Sequence, residues 1–177
     1  AYRNVRRAVV LPAYSYDGQV SSNRVRHDVA LLELHQPIRN TTVIPFQTAS
    51  RPHRGDEIGV VSYAHNRAEA PSLQEVCNVM GRQDGVLVMS CDVDFGSSGA
   101  PIFTFEGGQP RIVSVVSAKA EVGGDRVALG TSLDETLHLL RAELAAGHGF
   151  VQDPAPLANR VVVGSARNRT GAKFVKP

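Results

Sequence analysis

The sequence predicts an all-β protein, a barrel or a sandwich. Short apolar runs rich in Val, Ile and Leu recur along the chain, among them 5–11, 57–63, 85–90, 111–117 and 127–131. Gly- and Pro-bearing turns punctuate them, and a single stretch, 132–146, has helical spacing. Many short strands separated by turn residues, with helices scarce, are what a closed or stacked sheet looks like in sequence.

The chain has 177 residues, which suits one or two small domains, and 42% of them are hydrophobic, enough for a real core. No apolar run approaches the ~20 residues of a membrane span, so no membrane partner is expected. The sequence does not begin with Met and shows no signal peptide, and it reads as a mature or trimmed fragment. Residues 150–177 hold Arg160, Arg167, Arg169, Lys173 and Lys176 against Asp153, a net of +4, which leaves −2 for residues 1–149 of a chain at +2 overall. This basic end reads as an extended, solvated tail starting at 150, and no nucleic acid is expected as a partner.

Taken in order, Val5–Leu11 is a strand and Pro12–Asn23 an exposed loop with Asp17-Gly18. His27-Asp28-Val29-Ala30-Leu31-Leu32-Glu33-Leu34 is a second strand with a carboxylate at its polar start. Pro37–Ser50 is a connector; Asn40 and Asn168 head formal glycosylation triplets. Asp56–Tyr63 is a strand and 65–71 a polar loop. Leu73–Gly81 and Gly85–Ser90 flank Asp84-Gly85, a hairpin signal. Cys77 and Cys91, the only cysteines, fall on or beside these paired strands, where a disulfide can form; two free buried thiols are the alternative. A bridge implies an oxidising compartment, so a secreted or periplasmic location. No metal site or other cofactor is expected, since neither Cys-x-x-Cys nor a His pair accompanies them.

The next stretch organises the chain: Cys91-Asp92-Val93-Asp94-Phe95-Gly96-Ser97-Ser98-Gly99-Ala100-Pro101. Glycines permit backbone conformations that other residues avoid, so such a turn can hold a hydroxyl outward and aim N–H groups at one point. Acyl transfer needs both, a nucleophile and donors for the oxyanion. Ile102–Phe105 and Arg111–Ser117 follow as strands around a Glu106-Gly107-Gly108-Gln109 turn, and Val127–Thr131 is the last strand. Ser132 with Glu135 forms a capping-box pattern, Leu133, Leu137, Leu140 and Leu144 share one helical face, and Gly147 is the stop.

Three of these phrases carry a family resemblance. Gly96-Ser97-Ser98-Gly99-Ala100-Pro101 resembles the nucleophile motif of trypsin-like (chymotrypsin-fold) serine peptidases, and with Cys91-Asp92 it is similar to their bacterial secreted, glutamyl-endopeptidase-like branch. Asp28-Val29-Ala30-Leu31-Leu32 resembles the phrase whose aspartate orients the catalytic histidine. Arg111–Ser117 is similar to the strand that pairs with substrate, with Val115 and Val116 in place of Trp and Gly. The resemblance implies a double antiparallel β-barrel, of which 1–47 would be the end of the first barrel and the crossover, 48–149 the complete second barrel with its closing helix, and 150–177 the tail.

It also implies roles. Ser98 would be the nucleophile and Asp28 the aspartate; the N–H groups of Gly96 and Ser98 would bind the oxyanion. Ser114, Val115 and Val116 would form the substrate edge. Asp92, six residues before Ser98, would favour cleavage after Arg or Lys. Val113 stands where glutamate-specific relatives have a histidine, which counts against that preference. Ser97 replaces the aspartate that switches on trypsin-like zymogens, so that salt bridge is not expected.

The family's base histidine precedes the aspartate within a phrase that is absent here, and none of His27, His35, His53, His65, His138 and His148 fits it. The segment bearing it is expected outside this sequence, upstream or on an associated chain, and the chain alone is expected to have little activity on its polypeptide substrate. The alternative is an inactive relative that binds peptides. An α/β-hydrolase esterase fits poorly, because a glycine directly follows Ser98 and a strand, not a helix, comes next.

Overall fold

The computed structural model describes residues 2–49, 52–63 and 69–151. Its order is β1 (Val5–Val10), α1 (Ser22–His27), β2 (Ala30–Leu34), β3 (Gln47–Thr48), β4 (Glu57–Ser62), β5 (Ser72–Gln83), β6 (Val86–Met89), β7 (Pro101–Thr104), β8 (Arg111–Val122), β9 (Asp125–Ser132), α2 (Leu133–Ala145) and β10 (Phe150–Val151). The architecture is all-β with a C-terminal helix, as the sequence predicts.

Strands β4 to β9, with β3 at one side, form a sheet ordered β3-β8-β7-β4-β5-β6-β9, and an added β8–β9 pairing closes six of these strands into a barrel. The β5–β6 hairpin turns at Asp84 and Gly85, whose φ values of 51° and 80° are the left-handed pair that a tight two-residue turn requires. Alternate residues point inward, and Ile58, Leu87, Met89 and Ile102 are wholly buried in one cluster. Cys77 and Cys91 lie in that cluster and are joined by a disulfide.

The second sheet is smaller and open, ordered β10-β1-β2. Its core is Val9, Leu11 and Leu140, so α2 packs its leucine face on this sheet. Complete burial of Leu140 contributes about 1.5–3 kcal/mol. Gly147 (φ 83°) ends the helix; its N–H donates to Leu144 O at 3.1 Å and that of His148 to Glu143 O at 3.0 Å, the double bond of a Schellman cap.

Four details differ from the sequence reading. Residues 22–27 form a helix, capped by Ser21 Oγ, which accepts from the Arg24 N–H at 3.2 Å. Strands β8 and β9 extend to a hairpin turn at Gly123-Gly124, with Val122 opposite Asp125. Ser132 does precede the first residue of α2, but its hydroxyl makes no capping bond; its carbonyl accepts from Thr136 Oγ1 at 2.7 Å. Phe150 and Val151, assigned to the tail, pair with Ala8 and Arg7 and belong to the small sheet. The rest of the basic tail, including Asn168, lies outside the described residues.

Candidate active site

Ser98 sits in the turn between the disulfide and β7. Gly96 (φ 91°) and Gly99 (φ 79°) flank it in the left-handed region, where a side chain is strained. The turn is pinned from inside: Ser97 is buried, its N–H donates to Asp94 O at 3.0 Å, and Ala100 N–H donates to Ser97 O at 3.0 Å. Ser98 is exposed by this arrangement, and the N–H groups of Gly96 and Ser98 meet no acceptor among the described residues. An exposed hydroxyl beside unengaged backbone donors is the arrangement an oxyanion-forming reaction uses.

Asp28 follows α1 directly and ends it as its C-cap. Its Oδ2 accepts a 2.6 Å hydrogen bond from Ser117 Oγ on β8. Its backbone is anchored from the barrel too: Thr131 Oγ1 donates to Val25 O at 2.6 Å and lies 3.3 Å from Asp28 O. Tyr14 stands beside the carboxylate. Burial pushes its phenol above the ordinary value of 10, and the neighbouring Asp28 charge adds to the rise.

Asp28 and Ser98 line one surface cavity of about 510 Å³, together with Tyr14, Val29, Leu32 and Val115. No described histidine lines it. His27 turns its Nδ1 to Asn23 O at 2.7 Å, His148 pairs with Glu143 at 2.7 Å, and His53 lies 3.7 Å from Asp56. His35 and His138 are exposed elsewhere, and His65 lies outside the described residues.

The substrate edge read from the sequence needs correction. Ser114 is wholly buried and its Oγ donates to Thr131 O at 2.8 Å. Ser114 and Val115 pair with β7 on one side and β9 on the other. Val116 exchanges hydrogen bonds with Gly99 and Ala100 at 2.7 and 2.9 Å. None of the three offers a free backbone. At Ser117 the β8–β9 register slips, and from there β8 pairs, among the described residues, with β9 alone. An extra residue in one strand re-aims its side chain, which is how the Ser117 hydroxyl comes to face Asp28. The open edge is therefore Ser117–Val122, and the residue before the aspartate-bonded serine is Val116 rather than Val113.

Asp92 is exposed and its N–H donates to Gln74 Oε1 at 2.8 Å. Among the described residues, it lines none of the cavities that Ser98 borders. One of these, about 350 Å³, is bounded by Phe95, Ser98, Ser117, Lys119 and Arg24. The model of the trypsin-like peptidase domain matches residues 3–110, well over half of the chain and inclusive of both Asp28 and Ser98.

The chain belongs to the trypsin-like peptidase family. Among solved structures, this trypsin-like chain is similar to a kallikrein-related peptidase 10, with a TM-score of 0.57 and 16% identity over 81% of this chain and 73% of that one. At that identity the likeness concerns the fold, a chymotrypsin-like arrangement of closed barrel, second sheet and terminal helix. No curated protein matches the sequence.

The two residues that sequence reasoning missed are Ser117 and Thr131. Both act on Asp28 through hydroxyls on β8 and β9, far from it in sequence. Ser117 had a visible signal, a second serine three positions after Ser114.

Proposed function

We propose that this chain is the nucleophile-bearing part of a serine endopeptidase of the bacterial secreted kind, whose base histidine is carried by polypeptide outside this sequence. The supporting observation is that Asp28 and Ser98 border the same cavity, of about 510 Å³, a volume larger than an imidazole ring. The histidine would take the Ser98 proton through one ring nitrogen and donate the other N–H to Asp28. Ser98 Oγ would then attack the scissile carbonyl, and the acyl-enzyme would form as the protonated ring returned its proton to the leaving amine. Water, activated by the same ring, would release the acid.

The Gly96 and Ser98 N–H groups would hold the oxyanion. Substrate would pair as an added strand along the free edge that begins at Ser117. The open β10-β1-β2 sheet is where the missing partner would dock: Leu32 and Phe150 are 54% and 72% exposed on it. The disulfide favours an exported protein.

Without a base a serine hydroxyl is a weak nucleophile, so this chain by itself would be nearly inactive. The test is Ser98→Ala in the protein complete with its histidine: peptidase activity should vanish, and undiminished activity overturns the assignment. A second reading, an inactive peptide-binding module, draws on the lack of any described histidine at the cavity. A fluorophosphonate probe separates the two, since only an activated serine is labelled.

A further inference from the structure

The cleft beside Ser98 is divided. The nearer cavity, about 350 Å³, is bordered by Ser98, Ser117 and Arg24. A farther one, about 580 Å³, is bordered by Asp92, Glu121 and Arg126. Val93, Asp94 and Lys119 line both, so they form the partition. Within it, Lys119 Nζ lies 2.7 Å from Asp94 Oδ1 and 4.1 Å from the centroid of the Phe95 ring. Asp94 and Phe95 belong to the turn that carries Ser98, whereas Lys119 stands on the free edge of β8. The ammonium thus ties the two walls of the cleft together, by a charge pair on one side and a ring face on the other.

We propose that the Lys119–Asp94 pair is a latch across the substrate pocket, and that Lys119 is the specificity-determining residue that keeps basic side chains from Asp92. The proposal rests on the serine peptidase reading of Ser98. A substrate cation entering past Ser98 first meets Arg24 and Lys119, and Asp94 is already paired with Lys119. To reach Asp92 it must push the Lys119 ammonium aside or sit next to it, and like charges at such range repel. The short pocket in front of the latch is bordered by Val93, Val116 and Ala118, which suit a small or apolar side chain. The Lys119 and Asp94 side chains are 48% and 58% exposed, so salt screens the pair and loosens it.

The test is binding of p-aminobenzamidine, a fluorescent aryl cation, to the full chain at low salt. Lys119→Ala should bind it at least about tenfold more tightly than the wild type, an increase of about 1.4 kcal/mol in binding free energy at that factor. Lys119→Met, which keeps the stem over Phe95, should behave alike, which guards against a folding defect in the alanine variant. Adding Asp92→Asn should return affinity to the wild-type level. Equal binding by wild type and both Lys119 variants overturns the proposal, as does tight binding that survives Asp92→Asn. The probe requires neither the base nor acyl chemistry. A failure here therefore leaves the Ser98 assignment intact, while a failure of fluorophosphonate labelling in the complete protein removes the peptidase reading without changing the cation-binding result.

Discussion

The Ser117 hydroxyl donates a 2.6 Å hydrogen bond to the Asp28 carboxylate, joining the closed barrel to the segment that enters the open sheet. The two residues are 89 positions apart. Ser117 reaches Asp28 because it is the bulged residue of β8, and Asp28 waits there because α1 ends on it and Thr131 secures the helix end. A carboxylate in the histidine-orienting role proposed for Asp28 needs a fixed orientation, and a charge-assisted bond supplies one.

Replacing Ser117 by alanine should therefore loosen Asp28 without changing Ser98. A hydrogen bond to a charged group contributes about 1.5–3 kcal/mol. If most of it is felt in the transition state, kcat/KM of the base-bearing protein falls about 10- to 100-fold. Ser117→Thr, which keeps the hydroxyl, should retain most activity. Ser114→Ala breaks a buried bond to Thr131 O and should cost about 1 kcal/mol of stability with little change in turnover. The reverse pattern, Ser114→Ala inactive and Ser117→Ala active, would restore the register first read from the sequence.

That register error shows where sequence reading stops. The turn around Ser98 was legible because a tight turn demands glycines at fixed places, and Gly96 and Gly99 do take positive φ. The Cys77–Cys91 hairpin was legible because Asp84-Gly85 is a local signal. The choice between Ser114 and Ser117 was not, since only the pairing of β8 with β7 and β9 creates the bulge. Helix α1 has one buried residue, Val25, too few to show a period. Strand β10 has two residues, both exposed, and exists only through its pairing with β1. The Gly123-Gly124 hairpin was within reach: two glycines between runs are a recognised turn, although Lys119 and Glu121 break the apolar pattern leading to it.

Gly96→Ala is expected to be severe for activity. At φ 91° an alanine is strained, and relief would rotate the N–H away from its proposed oxyanion role. Removing one oxyanion donor costs about 2.7–4 kcal/mol, so kcat in the base-bearing protein should fall about 100- to 1,000-fold with KM nearly unchanged. A loss confined to KM would remove Gly96 from the oxyanion role.

The disulfide closes a loop of sequence separation 14 in the barrel core. Loop entropy at that length gives about 3 kcal/mol. The double variant Cys77→Ala/Cys91→Ala should accordingly melt about 6–12 °C lower by calorimetry, taking ~2–4 °C per kcal/mol for a protein of this size. Cys91 leads directly into Asp92 and the Ser98 turn, so fluorophosphonate labelling of the complete protein should slow before the barrel unfolds. Unchanged melting would mean that the bridge constrains nothing the core does not already hold.

Tyr14 offers a readout of Asp28 that does not depend on catalysis. Its phenol is raised above 10, first by burial and then by the adjacent carboxylate. Both causes oppose the phenolate in the folded state, so the stabilisation is intact below pH 10 and is lost as pH rises through the elevated folded value. Ultraviolet difference titration should show a late-ionising tyrosine component, and Tyr14→Phe should remove it. Asp28→Asn should shift the late component downward without abolishing it, because burial, the larger cause, remains. Docking of the base-bearing partner over this cavity should delay Tyr14 further, since it adds burial. If Asp28→Asn leaves the titration where it was, the Asp28 charge is not felt at Tyr14, and the two do not share the cavity in solution.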